Sequence, residues 1–388
     1  MKDQSVILIG NNNKNTLGKA RSFGEAGFNP ILIWVGPRAN LVKYSRYIKE
    51  YYDVESAEQA VDLLIKRFKR QEEKMLVSVE GDGLIAELDK NFDILKDYFI
   101  FYNAGEQGRL STFLQKEVLC EAAEKCGFRV PRTKLMKVGD CNHGLTYPIF
   151  TKASDSYDIS WKSSAHVCET EEELKRLYLK IKSNDILLQE YILKKNELML
   201  EGISVNGGNE VYIPIQGSYY RFPIDAYGSY CFFEKCNNHD DLLDSTKKLL
   251  KLIGYSGIFE VEFLIDKNDN YYFLEINLRD TIWNYSFTTM GVNLNQIWAD
   301  SEKMGRLCLD SVKNIKERIN SMNEFVDFDR YVKTKKIKIS NWNKEYRTSD
   351  ALMVKNKKDN KPFRKYLLFF IARRFQSIGF FRKTNFQV

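Results

Sequence analysis

The sequence predicts an α/β amino-terminal unit followed by an α+β unit, and three observations carry that reading. Over the first hundred residues, short apolar runs alternate with helical stretches, the pattern of a parallel sheet with crossover helices. Beyond residue 127 the apolar runs fall at hairpin spacing, with Asn206-Gly207-Gly208-Asn209 and Asn268-Asp269-Asn270 as turns. Hydrophobic residues make up 44% of the 388 and charged residues 29%, the balance of a globular chain rather than a collagen-like, coiled-coil or disordered one.

In chain order, strands are expected over 6–9, 31–35, 75–79 and 99–102, where β-branched and aromatic residues cluster. Helices are expected between them over 17–26, 57–70 and 84–98. Gly10 ends the first strand and the next glycine is Gly18, so the dinucleotide fingerprint G-x-G-x-x-G is absent. The polar loop Asn11-Asn12-Asn13 falls at the carboxyl end of that strand, the edge where open α/β sheets bind ligands. A helix over 112–126 is closed by Gly127. Strands over 133–137 and 148–152, a helix over 171–182, and strands over 186–192, 197–205 and 210–216 follow. A helix over 240–253 leads into the hairpin 257–265/271–277. The expected division is 1–110 as the parallel unit, 111–192 and 193–305 as two lobes of the α+β unit, and 306–388 as a basic extension.

Composition excludes several functions. Seven cysteines include no C-x-x-C pair and three histidines show no metal-motif spacing, so structural zinc and histidine-centred catalysis are not expected, and the thiols are expected to be reduced. The longest apolar run, 366–372, is too short to span a bilayer, and the first residues lead straight into strand one without an apolar leader; both point to the cytoplasm. The net charge of +7 conceals an asymmetry: residues 301–388 carry 22 Lys/Arg against 9 Asp/Glu, so the first 300 residues are net acidic. The clusters Lys333–Lys338 and Lys355–Lys358 carry no nucleic-acid fold signature, so nucleic acid is not an expected partner. Within 363–383, Phe363, Leu367, Phe370, Ile371 and Ile378 fall near one helical face, interrupted by Arg374 and flanked by Lys365, Arg373, Arg382 and Lys383. Such a helix either packs on the body or lies in the interface of an anionic membrane, as a peripheral contact at its inner face.

The sharpest chemical signal is the hairpin. Residues two apart on a strand point the same way, so Glu275, Asn277 and Arg279 share a face, with Leu274, Ile276 and Leu278 turned to the core. Glu260 and Glu262 share a face of the partner strand. Carboxylates and an amide oxygen converging there suit Mg²⁺, a hard cation that usually keeps substrate phosphates among its ligands. Arg279 beside them can hold a phosphate or carboxylate as a fork. A half-exposed sheet with ordinary outward charges fits these residues equally well.

At this point the chain resembles the ATP-grasp superfamily, whose carboxyl lobe ends in a D/E … E-x-N-x-R pattern that Glu262, Glu275, Asn277 and Arg279 match. Three further motifs stand in the family's order across 112–300. Lys116 precedes Gly127-Phe128-Arg129-Val130-Pro131; Tyr147-Pro148-Ile149-Phe150-Thr151-Lys152 is similar to the strand with a nucleotide lysine; Leu187-Leu188-Gln189-Glu190-Tyr191-Ile192 followed by Glu197 is similar to the adenine- and ribose-binding hinge. The resemblance implies an ATP-grasp fold behind an amino-terminal parallel α/β domain, with ATP and Mg²⁺ as cofactors. It implies Lys116 and Lys152 on the phosphates, Gln189, Glu190, Tyr191 and Ile192 around adenine, Glu197 on the ribose, and Glu262, Glu275 and Asn277 on Mg²⁺.

The implied activity is ATP-dependent carboxylate–amine ligation through an acyl phosphate, with Arg279 stabilising the acyl phosphate and Arg221 on the transferring phosphate or substrate carboxylate; a strand-end arginine stacked on tyrosines fits Arg221 equally well. Two departures matter. The phosphate loop, Ala153 to Ser164, has no glycine, and its hydroxyls and Lys162 would have to replace backbone contacts. Biotin-carboxylase-like members carry a glutamate base four residues after the motif arginine; here that residue is Trp283, which speaks against biotin carboxylation. Gly18 to Gly27 and Gly254 to Phe263 are similar to the D-aspartate-ligase and carbamoyl-phosphate-synthase-like branch, which implies an amino acid or similar amine joined to a carboxylate in envelope-polysaccharide or metabolite biosynthesis, with a lipid-linked or polysaccharide acceptor among the options. A nucleotide-binding relative with a regulatory or scaffolding role and no turnover is the alternative.

Overall fold

A computed structural model of the chain describes residues 4–69, 73–152, 166–181, 183–222 and 228–377, with the side chains of the last helix described up to residue 369. The first sheet contains β1 Ser5–Gly10, β2 Asn29–Val35, β3 Glu50–Val54, β4 Met75–Val79 and β5 Phe99–Ile100, all parallel, in the order β3-β2-β1-β4-β5. The strand order reverses between β1 and β4, which opens a crevice at their carboxyl ends. The helix Asn13–Glu25 starts there, its first amides accepted by the Asn12 side chain. Strand β3 was not expected: Glu-Tyr-Tyr-Asp-Val alternates between half-buried and exposed at the sheet edge and lacks an apolar run.

The second sheet, β6 Thr133–Lys137, β7 Ile149–Lys152, β8 His166–Cys168 and β9 Asp185–Glu190, is antiparallel in the order β6-β9-β7-β8. The expected helix over 112–126 is two helices, Arg109–Phe113 and Lys116–Lys125. The third sheet contains β10 Asn196–Val205, β11 Glu210–Arg221, β12 Tyr230–Lys235, β13 Gly257–Ile265 and β14 Tyr271–Asn277, then β15 Arg318–Met322 and β16 Ala351–Leu352, in the order β14-β13-β10-β11-β12-β15-β16. The β10–β11 turn needs its glycine: Gly208 has φ +82°, and a Cβ there would come within 2.4 Å of the Lys251 backbone nitrogen.

Residues beyond 305, expected as an extension, contribute β15 and β16 to that sheet and then fasten onto the first. Arg21, fully buried, donates from Nε to Asp359 Oδ2 at 3.1 Å and from its terminal nitrogens to the carbonyls of Met353, Val354 and Asp359. Asp359 also accepts from Ser45 Oγ at 2.8 Å and the Arg46 amide at 2.9 Å. Asp359→Ala is expected to cost about 3–5 kcal/mol, the usual penalty for stranding one partner of a buried ion pair, read as a lower denaturant midpoint. The helix Lys361–Ser377 then rests Phe363 and Tyr366 against Phe325 and leaves Leu368 exposed. Among the described residues, no helix is long and apolar enough to cross a membrane, and all seven cysteines are free thiols.

Candidate active site

One cleft gathers residues from two helices and two sheets: Asp82 at the start of the helix Asp82–Lys90, Lys116 and Cys120 on the helix Lys116–Lys125, Lys152 at the end of β7, and Glu275 and Asn277 on β14. Lys152 is only 8% exposed, and burial, reinforced by the nearby Lys116 ammonium, lowers its pKa; among the described residues no carboxylate lies within ion-pair distance of it. A buried ammonium without a counter-ion is a site for an anion.

Beside Glu275 and Asn277 the third sheet carries an acidic row. The register sets Glu201 across from Glu260 on β10 and β13, Glu260 across from Asn277, and Glu262 across from Glu275. Asn277 Nδ2 donates to Glu260 Oε2 at 2.8 Å and to Glu262 Oε1 at 3.0 Å. Burial first, and the neighbouring carboxylates with it, push Glu201, Glu260 and Glu262 well above the usual carboxylate range. Carboxyls crowded like this ionise together only when a cation joins them. Among the described residues no group of three or more His, Cys, Asp or Glu is arranged to hold a metal ion by itself. An ion here would therefore draw ligands from Glu262, Glu275, the Asn277 amide oxygen and a bound phosphate, as Mg²⁺ commonly does.

The strict alternation expected on β14 breaks at one residue: the register shifts between Glu262 and Phe263, leaving Leu274 without a partner. Leu274 is accordingly half-buried, not in the core, while Phe273 packs on Phe128 and Phe263. Arg279 donates from Nε to Asp82 Oδ1 at 2.8 Å; burial opposes its charge, but Asp82 and the acid row raise its pKa.

The other expected residues fall as follows. Gln189, at the end of β9, donates to Thr133 Oγ1 at 2.7 Å, and Glu190 accepts from the Arg132 amide and Nε. Tyr191 and Ile192, expected to continue the strand, lie half-buried in the link 191–195 between the second and third sheets. Glu197 is 5% exposed and ion-paired with Lys194 at 2.7 Å; burial raises its pKa and Lys194 counters it. Of the two readings of Arg221, the arrangement is that of the arginine stacked on tyrosines: its guanidinium is taken by Asp327 at 2.6 Å and Glu345 at 2.8 Å, and it lies over the rings of Tyr230 and Tyr331. That bonding serves the packing of the carboxyl-terminal segment. Lys162 and the rest of 153–165 lie outside the described residues.

The Asn11–Asn13 loop, expected as a ligand edge, is filled from within. The buried Glu80 carboxylate accepts from the amides of Asn11 and Asn12 at 3.3 and 3.0 Å and from Thr16 Oγ1 at 2.7 Å. The neighbouring Asp82, which sequence reasoning passed over, is the residue that reaches the cleft. Its signal was present: Gly81-Asp82-Gly83 follows the carboxyl end of an expected parallel strand. Trp283 is 2% exposed and packs against Phe233, with ring centroids 5.8 Å apart.

No protein-family model matches the sequence, and no curated protein matches it. Solved structures do match in shape. N5-carboxyaminoimidazole synthetase from Staphylococcus aureus, complexed with ADP, superposes with a TM-score of 0.67 at 15% identity, covering 87% of each chain. An L-amino acid ligase from Bacillus licheniformis gives 0.62 at 13% identity, covering 82% of this chain and 79% of that one. The biotin carboxylase domain of a Hydrogenobacter thermophilus 2-oxoglutarate carboxylase, in complex with MgADP, ADP and bicarbonate, gives 0.62 at 18% identity, covering 82% and 73%. Taken with the parallel amino-terminal sheet, the antiparallel second sheet and the cleft beside β14, these likenesses show that the chain has the ATP-grasp fold.

Proposed function

We propose that the chain is an ATP-dependent, ADP-forming carboxylate–amine ligase. The observation that carries this reading is the meeting of opposite charges around one cleft: among the described residues the buried Lys152 ammonium has no carboxylate within ion-pair distance and would take an anion, and the crowded carboxyls of Glu260 and Glu262 beside the cleft would take a cation. A Mg²⁺–nucleotide supplies both, and the donor set suits it; Mg²⁺ neutralises phosphate charge and aligns in-line transfer. Lys116 and Lys152 hold phosphate oxygens, the segment 189–192 offers an apolar slot with backbone groups to adenine, and Glu197 accepts from the ribose hydroxyls. Arg279 stabilises the charge that develops on the transferred phosphoryl group.

The substrate carboxylate oxygen bonds to the γ-phosphorus as the bond to the β-phosphate oxygen breaks and ADP leaves. The amine nitrogen then bonds to the acyl carbon, phosphate departs and the amine gives up a proton. No protein nucleophile is needed. An amino acid or similar amine is the proposed nucleophile, and a metabolite or a lipid-linked or polysaccharide acceptor the proposed carboxylate. The test is ADP release with pooled amino acids and carboxylates. Tight MgATP binding with no ADP from any pool would instead favour a nucleotide-binding protein with a regulatory or scaffolding role.

The proposed location is cytoplasmic, and a peripheral contact of 363–383 with the inner face of the membrane is the alternative to packing of that segment on the body, where Phe363 and Tyr366 already meet Phe325. From 361 onward the sequence has seven Lys/Arg, no Asp/Glu and seven Phe, and each basic residue near an anionic surface contributes about 1 kcal/mol at low salt. The full chain is expected to co-sediment with anionic liposomes at low salt and to be released by salt. A chain ending at Lys361 retains Asp359 and should stay soluble and folded in the supernatant. Equal behaviour of the two chains would remove the membrane from this reading.

A further inference from the structure

The residue after Arg279 is as constrained as Arg279 itself. Asp280 is fully buried, and Lys19 Nζ, on the helix Asn13–Glu25 and equally buried, approaches its Oδ1 to 2.8 Å. The same ammonium donates to Ser78 Oγ at 3.2 Å and to the Val79 carbonyl, both on β4, and lies 5.7 Å from the centroid of the Tyr102 ring. Two of its donors are thus spent on fixed acceptors of β4 while its charge faces the buried Asp280 carboxylate. The backbone on either side is held as well. Tyr255 Oη donates to the Leu278 carbonyl at 2.7 Å, and Asn15 Nδ2 donates to the Asp280 carbonyl at 3.3 Å. One turn of the first helix (Asn15 and Lys19) therefore grips the chain just past the arginine, while Asp82, at the start of the helix Asp82–Lys90, grips the guanidinium.

We infer that Lys19 is a positioning residue: through Asp280 it sets where Arg279 enters the cleft, so that the parallel amino-terminal sheet forms part of the mount of the phosphate-binding arginine. This rests on the proposed role of Arg279. The physical ground is that a buried ion pair adds little net stability compared with apolar packing but fixes geometry. A displacement of about 1 Å at a reacting group is enough to cost about 100-fold. Arg279 extends from the backbone between two clamped carbonyls, and a rotation at Asp280 would be carried along its side chain to the guanidinium.

The test needs no identified substrate. Titration calorimetry of MgADP and MgATP gives the gain in affinity from the γ-phosphate, as the ratio of the two dissociation constants. Arg279→Ala is expected to reduce that gain about tenfold or more, the usual scale for a charge-assisted contact. Lys19→Met is expected to reduce it comparably, with MgADP affinity unchanged within about twofold and no further loss in the double variant, because coupled residues are not additive. A folded Lys19→Met protein with the wild-type gain, or losses that add in the double variant, would overturn the inference and leave the Arg279 role standing. A wild-type gain in Arg279→Ala would remove the Arg279 role and the inference with it. If Lys19→Met does not fold, Asp280→Asn, which keeps the shape and leaves the ammonium an acceptor, is read by the same criteria.

Discussion

Glu275→Gln is expected to abolish ADP formation while leaving the fold intact. The side chain sits across from Glu262 at the cleft edge and is half-buried, so the amide keeps its shape and its packing and removes only its charge. In the proposed site Glu275 is one of two charged Mg²⁺ ligands. Loss of a mere outer-sphere partner typically costs about 10–100-fold, so loss of a direct ligand should cost about 100-fold or more. A coupled ADP assay, with thermal unfolding as the control, decides it. Near-normal turnover by a folded Glu275→Gln protein would take this residue out of the site. Asn277→Ala should lose less where water replaces the amide oxygen, although it also strips Glu260 and Glu262 of their shared donor.

Lys152→Ala is expected to weaken MgATP binding by about 10–100-fold, the worth of a charge-assisted hydrogen bond to phosphate, and to leave adenosine binding nearly unchanged. Equal losses for both ligands would place Lys152 at the base or in the core rather than at phosphate. The same ammonium carries a pH signature. Burial lowers its pKa, so it loses its proton at a lower pH than an ordinary lysine. Phosphate needs the charged form, so MgATP affinity is complete below that lowered pKa and fades as pH rises through it. Bound phosphate raises the pKa again, so binding on the alkaline side takes up protons, visible as a dependence of the calorimetric heat on the buffer's ionisation enthalpy. Lys152→Ala should abolish that dependence.

What could be read from the sequence was whatever is local. The hairpin β13–β14 and the helix Asp240–Ile253 stand where alternation, helical periodicity and turn residues put them, because adjacent residues settle their pairing and caps. The candidate cleft was legible for the same reason: Lys116, Lys152, Glu275 and Asn277 each sit in a motif of a few residues, and the structure gathers them. Strand β3 was illegible because an edge strand needs no apolar run, and β15 and β16 because short strands are stabilised by partners far away in sequence. The Leu274 irregularity has no turn residue to announce it. Asp82 on Arg279 spans 197 positions, Lys19 on Asp280 spans 261, and Asp327 on Arg221 spans 106. Pairings over such distances are decided by how the sheets pack, which one-dimensional patterns do not encode.

The clasp between Arg21 and Asp359 also bears on how the protein is made. The two residues are 338 positions apart, so a ribosome that has completed all five parallel strands has still to synthesise the carboxylate that their first helix requires. Until then the guanidinium lacks its partner, and the emerging amino-terminal half should remain loosely packed and open to proteases and chaperones. Stalled nascent chains are thus expected to pass from protease-sensitive to protease-resistant as Asp359 clears the exit tunnel, an abrupt late step in place of unit-by-unit maturation.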